Sequence, residues 1–296
     1  MRGSAIRHLA TSRSGSIFAA AKFKSVVSIW DLKDQKKISE FPTVLDFGGS
    51  RLAIDETGER CVAGAYSVNG IWCYNTREGS VVWNRKDLKK VQGIWMLPSQ
   101  SEIACAFADE PLQVLRLSDG KTLQTLRSCH WLQISPFEPV QFAEKAKPEL
   151  QTLDGSRIAQ FERESFAILS VAFGHGVVAI SEAAGPTRCF ETAQGRQLWC
   201  YRAPKGNHFV ELGYNSETRH FLGIEWAYER GGPKTLVVFD VESGKVVNKL
   251  HIGSSIIEEF CTSGTRLLSS SGWLIETSTG KLAGHFDFPI KEYPNA

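Results

Sequence analysis

Short polar turns, spaced about forty residues apart, punctuate this chain seven times. Six centre on a glycine: Gly79, Gly120, Gly155, Gly195, Gly244 and Gly280. The first carries Gln35 where the others have glycine. The intervals run from 35 to 49 residues, with a mean near 41. In segments such as NTREGS, LSDGKT and DVESGKV, the Asp, Ser or Thr before the glycine can hydrogen-bond the local backbone. The glycine supplies the positive φ of a tight turn at little steric cost. This period constrains the fold strongly, because a unit of this size buries little alone and must stack on its neighbours.

Each unit reads as strand, strand, strand, hairpin, strand. The third strand is apolar, as at 26–32, 71–74, 112–117 and 235–241, and the outer strand follows the turn (VVWNR, TLQTL, QLWCY, VVNKL, LAGHF). RLAIDET and RCVAGAY, GIWML and EIACAFA, FAILSVAF and GVVAISE, and FVELGYN and HFLGIEWAY supply inner pairs, which are mostly small and apolar. The unit at 130–162 is the most worn. It holds Pro136, Pro139 and Pro148, which belong at edges or in loops. The expected fold is all-β: a seven-bladed β-propeller of four-stranded antiparallel blades. It forms a single domain over 1–296, with blades near 5–42, 43–87, 88–128, 129–163, 164–204, 205–252 and 253–290. Both terminal blades are then contiguous chain, and the first meets the last by packing.

Composition excludes several classes. Of 296 residues, 42% are hydrophobic, enough for a large core, and no run of 18 apolar residues spans a membrane. A net charge of +2 gives no strong field for nucleic acid. The seven cysteines lie mostly in apolar strand-like runs without a CxxC pair, so they read as buried free thiols of a cytoplasmic chain rather than zinc ligands. The first thirty residues contain no acid and carry Arg2, Arg7, Arg13, Lys22 and Lys24. That composition is like a transit peptide, but the same stretch completes a blade, which is the favoured reading.

Two propeller families share features with these units. Ile29-Trp30-Asp31-Leu32 resembles the end of a WD repeat. FETAQGRQLW, with Glu191, Gly195, Arg196 and Trp199, resembles a quinoprotein-type repeat. YNTREGSVVW, with Gly79 and Trp83, matches in part. VFDVESGKVVN keeps Asp240, Gly244 and Lys245 but has Asn248 where tryptophan would stand. The resemblance implies architecture and leaves function to the site. Trp83 and Trp199 are expected to dock one blade on the next, and Trp30, Trp72 and Trp273 to lie in the core or between blades.

Two functional classes remain. An enzyme or small-ligand binder would gather metal or cofactor ligands at a central channel. The inner strands offer Asp55, Glu211, Glu258 and Glu259 with no repeated acidic position. His175, flanked by glycines, reads as a structural turn residue, and no nucleophile motif is present. No cofactor or metal is therefore expected. The second class is a non-catalytic scaffold, acting as an inhibitor or adaptor, that binds a protein partner through one loop face. That face collects the connections between second and third strands and between blades. Its candidate residues are Phe23, Tyr66, Lys86, Lys89, Lys90, Trp131, Lys205, Trp226, Tyr228 and Arg230. Aromatics and Arg suit a binding hot spot, and lysines suit an acidic partner. Without an RNA-binding aromatic signature, they favour protein over nucleic acid.

Overall fold

The computed structural model describes residues 6–22, 26–43, 50–67, 70–126, 132–144, 147–165, 167–204, 207–227, 234–253, 260–263, 265–269, 273–279 and 281–285. These hold 28 strands and no helix. The first sheet is β1 (Ile6–Thr11), β2 (Ile17–Lys22), β3 (Val26–Asp31) and β4 (Lys36–Pro42). The second is β5 (Ser50–Ile54), β6 (Arg60–Ala65), β7 (Ile71–Asn75) and β8 (Val81–Arg85). The third is β9 (Val91–Met96), β10 (Glu102–Phe107), β11 (Leu112–Arg116) and β12 (Thr122–Leu126). The fourth is β13 (Leu132–Ile134), β14 (Val140–Ala143), β15 (Glu149–Thr152) and β16 (Arg157–Gln160). The fifth is β17 (Ile168–Gly174), β18 (Val177–Glu182), β19 (Thr187–Glu191) and β20 (Gln197–Tyr201). The sixth is β21 (Asn207–Asn215), β22 (His220–Ala227), β23 (Lys234–Asp240) and β24 (Val246–Gly253). The seventh is β25 (Phe260–Ser263), β26 (Arg266–Ser269), β27 (Trp273–Glu276) and β28 (Leu282–His285). Each sheet pairs its strands in chain order, so every blade is a contiguous meander. The fold is an all-β, seven-bladed β-propeller, and residues 6–42 form a complete four-stranded blade.

Burial follows strand order. All six residues of β18 are buried, whereas in β8 only Trp83 is. Inner strands are covered on both faces and read as continuous apolar runs; outer strands are mostly exposed or half-buried. Val81, Val247 and Leu282, all on outer strands, are among the exposed aliphatics.

Contacts divide the chain into two compact units: residues 1–94 with 256–296, and residues 95–255. In the first unit, Ala19, Val27, Ile29 and Phe41 pack on Leu52, Cys61, Ala63, Trp72 and Tyr74, joining the first two blades. Leu9, Phe18, Ala20 and Leu32 pack on Leu268 and Leu274, joining the first blade to the last with no strand pairing between them among the described residues, and Trp30 lies against them. In the second unit, Val140, Phe142 and Phe161 meet Ile168, Phe173 and Phe190 between the fourth and fifth blades. Trp199 meets Phe209, Phe221 and Phe239 between the fifth and sixth. The Ser170 hydroxyl accepts from Leu212 N–H at 2.9 Å, and the Ser181 hydroxyl donates to Phe209 C=O at 3.0 Å, stitching the inner strands of these blades together.

The fourth blade is worn as its prolines suggest: all three fall between strands, and β13 has three residues. Lateral contacts compensate. Glu138 accepts Gly176 N–H at 2.7 Å and Thr192 Oγ1–H at 2.6 Å. Phe137 lies tilted against His175, with ring centroids 4.2 Å apart, and meets Tyr214 edge-on at 5.4 Å, so His175 is packed against rings of the neighbouring elements.

The described turn glycines all have positive φ, and Gln35 adopts the same left-handed region at φ 52°. The reason that Gln35 is tolerated lies in the neighbouring blade. At Gly244, a Cβ would stand 2.4 Å from Cγ of Trp199, so the bare turn seats the indole of the preceding outer strand. Trp199 pairs with Cys189 immediately before a bulge, and Gly284 holds the same register in the last blade, opposite Leu274. There the sizes are exchanged: a Cβ on Gly284 would stand 2.7 Å from Oε1 of Gln35. Gly284→Trp should therefore destabilise by about 1–3 kcal/mol through overpacking. Adding Gln35→Gly should restore much of that, with a coupling of about 1 kcal/mol or more in denaturant unfolding. Additive losses would show that the two positions do not compete for one space.

Of the five cysteines whose side chains are described, four are buried, in keeping with free core thiols. Burial pushes the Cys73 thiol up to about 12 and those of Cys61 and Cys189 up as well. Cys200 departs from the expectation: it points outward from β20 and is exposed. Trp273 departs too. It is 37% exposed at the start of β27, with its ring against His285 at 4.5 Å.

Candidate functional site

In an antiparallel four-stranded blade, the second-to-third connection and the connection to the next blade leave the sheet at the same end. In the first unit, this end of the second blade carries Tyr66 just past β6 and Lys86, Lys89 and Lys90 between β8 and β9. Gly64 pairs with Ile71, and Ile71 pairs with Arg85, so Gly64 and Arg85 stand in one row two strands apart, about 10 Å. Gly64 also lies against Val91; a Cβ there would come within 3.1 Å of Val91 Cγ2. Arg51 Nε donates to Gln92 C=O at 2.7 Å. Tyr66 and the lysine connection are thus gathered at one end of the unit.

The connection has a built interior. Leu88 is buried and its N–H donates to Arg85 C=O at 3.4 Å, pinning the segment from below. Arg85 grips Asp87 with Nε to Oδ1 at 2.9 Å and Nη2 to Oδ2 at 2.6 Å. That hydrogen bonding holds the Asp87 carboxyl below its ordinary value. The one acid of the segment is therefore neutralised internally. Lys86, Lys89 and Lys90 are exposed, and Lys90 has a left-handed backbone at φ 53°. Neither Lys86 nor Lys89 has an ion-pair partner among the described residues. Tyr66 is 51% exposed.

In the second unit, the same ends of the blades are arranged differently. Trp226 is half-buried rather than fully presented, edge-on to His208 at 5.8 Å. Burial pushes the His208 imidazole below its ordinary value. Beside it, buried Glu225 accepts from Asn207 Nδ2 at 2.8 Å and faces Lys249 Nζ at 3.6 Å. Lys249 also donates to Tyr201 Oη at 3.0 Å, which raises its ammonium above the ordinary value.

Glu182 holds the corresponding register one blade earlier: it pairs with Ile168 just before a bulge, as Glu225 pairs with Phe209. It is fully buried and accepts the N–H groups of Glu164 at 2.8 Å and Ser165 at 2.9 Å, together with Arg188 Nη2. Arg188 continues to Glu162 C=O at 2.7 Å. Glu182 staples the incoming connection to its blade and Glu225 ties down the first residue of β21; the sequence reading missed both. The available signal was an acid at the end of the second strand in two units, ISE and GIE.

The charges here are consumed locally. Lys147 pairs with Glu162 at 2.6 Å, Arg163 with Glu144 at 3.2 Å and Arg202 with Glu164 at 2.6 Å. Of the ten expected binding residues, Phe23, Trp131, Lys205, Tyr228 and Arg230 lie outside the described residues. The other five, Tyr66, Lys86, Lys89, Lys90 and Trp226, lie at the anticipated strand ends. Asp55, proposed as an inner-strand acid, instead accepts from Thr57 Oγ1 and Arg60 N–H to close its own turn. Among the described residues, no three His, Cys, Asp or Glu side chains converge as a metal site. Trp199 docks as expected, donating from Nε1 to Val241 C=O at 2.8 Å. Trp72 and Trp83 are buried.

No protein-family model and no curated protein sequence matches the chain. Among solved structures it is similar to the β-propeller domain of Myceliophteria thermophila Cps50 (Swd1), with a TM-score of 0.71 at 10% identity, covering 95% of this chain and 96% of that one. At that identity the likeness establishes a shared fold, and the β-propeller is what the chain has in common with it.

Proposed function

We propose that this chain is a non-catalytic protein-interaction scaffold that binds a protein partner through the end of its blades carrying the second-to-third and inter-blade connections. One observation carries the reading. Lys86 and Lys89, without ion-pair partners among the described residues, are presented on a connection anchored by Leu88 and the Arg85–Asp87 pair, and Tyr66 stands exposed just past β6, whose Gly64 lies against Val91. A surface fixed before binding loses little conformational entropy on association. An adaptor or inhibitor subunit needs that property more than it needs reactive groups.

A photo-crosslinking residue placed at Tyr66, and separately at Leu282 on an outer strand, tests the reading in cells. The Tyr66 position should yield discrete adducts with a partner protein and the Leu282 position should not. Adducts at Leu282 with none at Tyr66 would move the partner surface to the rim and overturn the assignment.

A further inference from the structure

Resting on the scaffold reading, we infer that the connection between β8 and β9, together with Tyr66, is a docking site for an acidic, extended segment of a partner protein. The argument is charge complementarity on a fixed frame. Three lysines occur within five residues, and the intervening acid is already held by Arg85. A basic strip that contributed only solubility would not need its acid gripped at 2.6 Å or its centre plugged by Leu88. The grip keeps Asp87 from competing with an incoming carboxylate for Lys86 and Lys89. Tyr66 adds a flat apolar ring with a polar tip, suited to packing on the stem of a glutamate while its hydroxyl meets the main chain.

Protein is favoured over nucleic acid on two counts. A single exposed tyrosine offers one stacking surface, whereas single-stranded nucleic acid is held by successive aromatics. The cations are lysines, which meet carboxylates as point charges, and the arginine nearest to them, Arg85, is already committed to Asp87.

The test uses the full chain and a short fluorescein-labelled peptide of glutamate and aspartate, read by anisotropy. Lys86→Glu with Lys89→Glu should weaken binding by at least about tenfold, and rising salt should weaken the wild-type complex. Tyr66→Ala should weaken it severalfold. Lys245→Glu with Lys281→Glu makes the same net charge change at the turns on the other end of their blades and should leave affinity unchanged. Unaltered affinity in the Lys86/Lys89 variant overturns the site, as does an equal loss in the Lys245/Lys281 variant. Tighter binding of an oligothymidylate of equal charge overturns the partner class. Each failure is separable from that of the scaffold reading, because partner adducts formed through Tyr66 would persist if only the acidic-segment assignment were wrong.

Discussion

Replacing Trp199 with alanine lowers the stability of the chain by about 3–5 kcal/mol, measured by denaturant unfolding. Three losses combine. The indole is buried between the fifth and sixth blades, stacked on Phe239 at 5.7 Å and edge-on to Phe221 at 6.2 Å. Its Nε1–H leaves Val241 C=O without a buried donor. The turn at Gly244, shaped around the ring, is left facing a void. Trp199→Phe keeps most of the volume and loses the hydrogen bond, so it should cost about 1–2 kcal/mol. A loss of under 1 kcal/mol for the alanine variant would show that the blade interface closes without the tryptophan. Domains hold only about 5–15 kcal/mol in all, so the full loss would bring the protein near its threshold.

Glu182→Ala should cost a similar amount, about 3–5 kcal/mol, for a different reason. The carboxylate is fully buried and carries Arg188 and two backbone N–H groups at once. Removing it leaves two backbone donors without their acceptor and a guanidinium that keeps Glu162 C=O but loses its carboxylate. The coupled variant Glu182→Leu with Arg188→Leu removes both charges and should cost less than Glu182→Ala alone, since the unpaired charge dominates the penalty. Amide hydrogen exchange adds a local readout. Ser165 and Glu164 should lose protection in Glu182→Ala while inner strands of distant blades keep theirs. Unchanged exchange at both residues would sink the stapling role.

The period of the turns was legible because it rests on backbone chemistry. A glycine at positive φ and an Asp or Asn capping the turn are local requirements, visible in a local string. Asp240 serves as expected, accepting Ser243 N–H through Oδ1, and Asn75 does the same for Arg77 N–H. Trp199 was legible for a related reason: a large ring two strands from its partner has few other places to go. The stapling glutamates were not, because their donors come from a connection 17 or 18 residues earlier in the chain. No local pattern distinguishes a buried acid from a solvated one. Cys200 and Trp273 were misjudged because strand membership does not say which side of an outer or edge position faces water. The lysine segment was legible as charge, but its internal neutralisation by Arg85 was not, since that depends on a turn bringing residues 85 and 87 into register.

The exchange between Gln35 and Gly284 bears on how a repeat chain knows where it begins. Repeated units invite mistaken partners, and the glycine turns differ in what they face: Phe41 at Gly79, Ala159 at Gly195 and Trp199 at Gly244. A turn bearing a glutamine fits only where the facing strand is bare, and a bare strand is well filled only by such a turn. The first and last blades therefore carry a lock and key of their own. Chains whose ends carry the reciprocal pair would meet themselves more readily than they meet the middle of another molecule, and the count of blades is fixed where the two ends find each other.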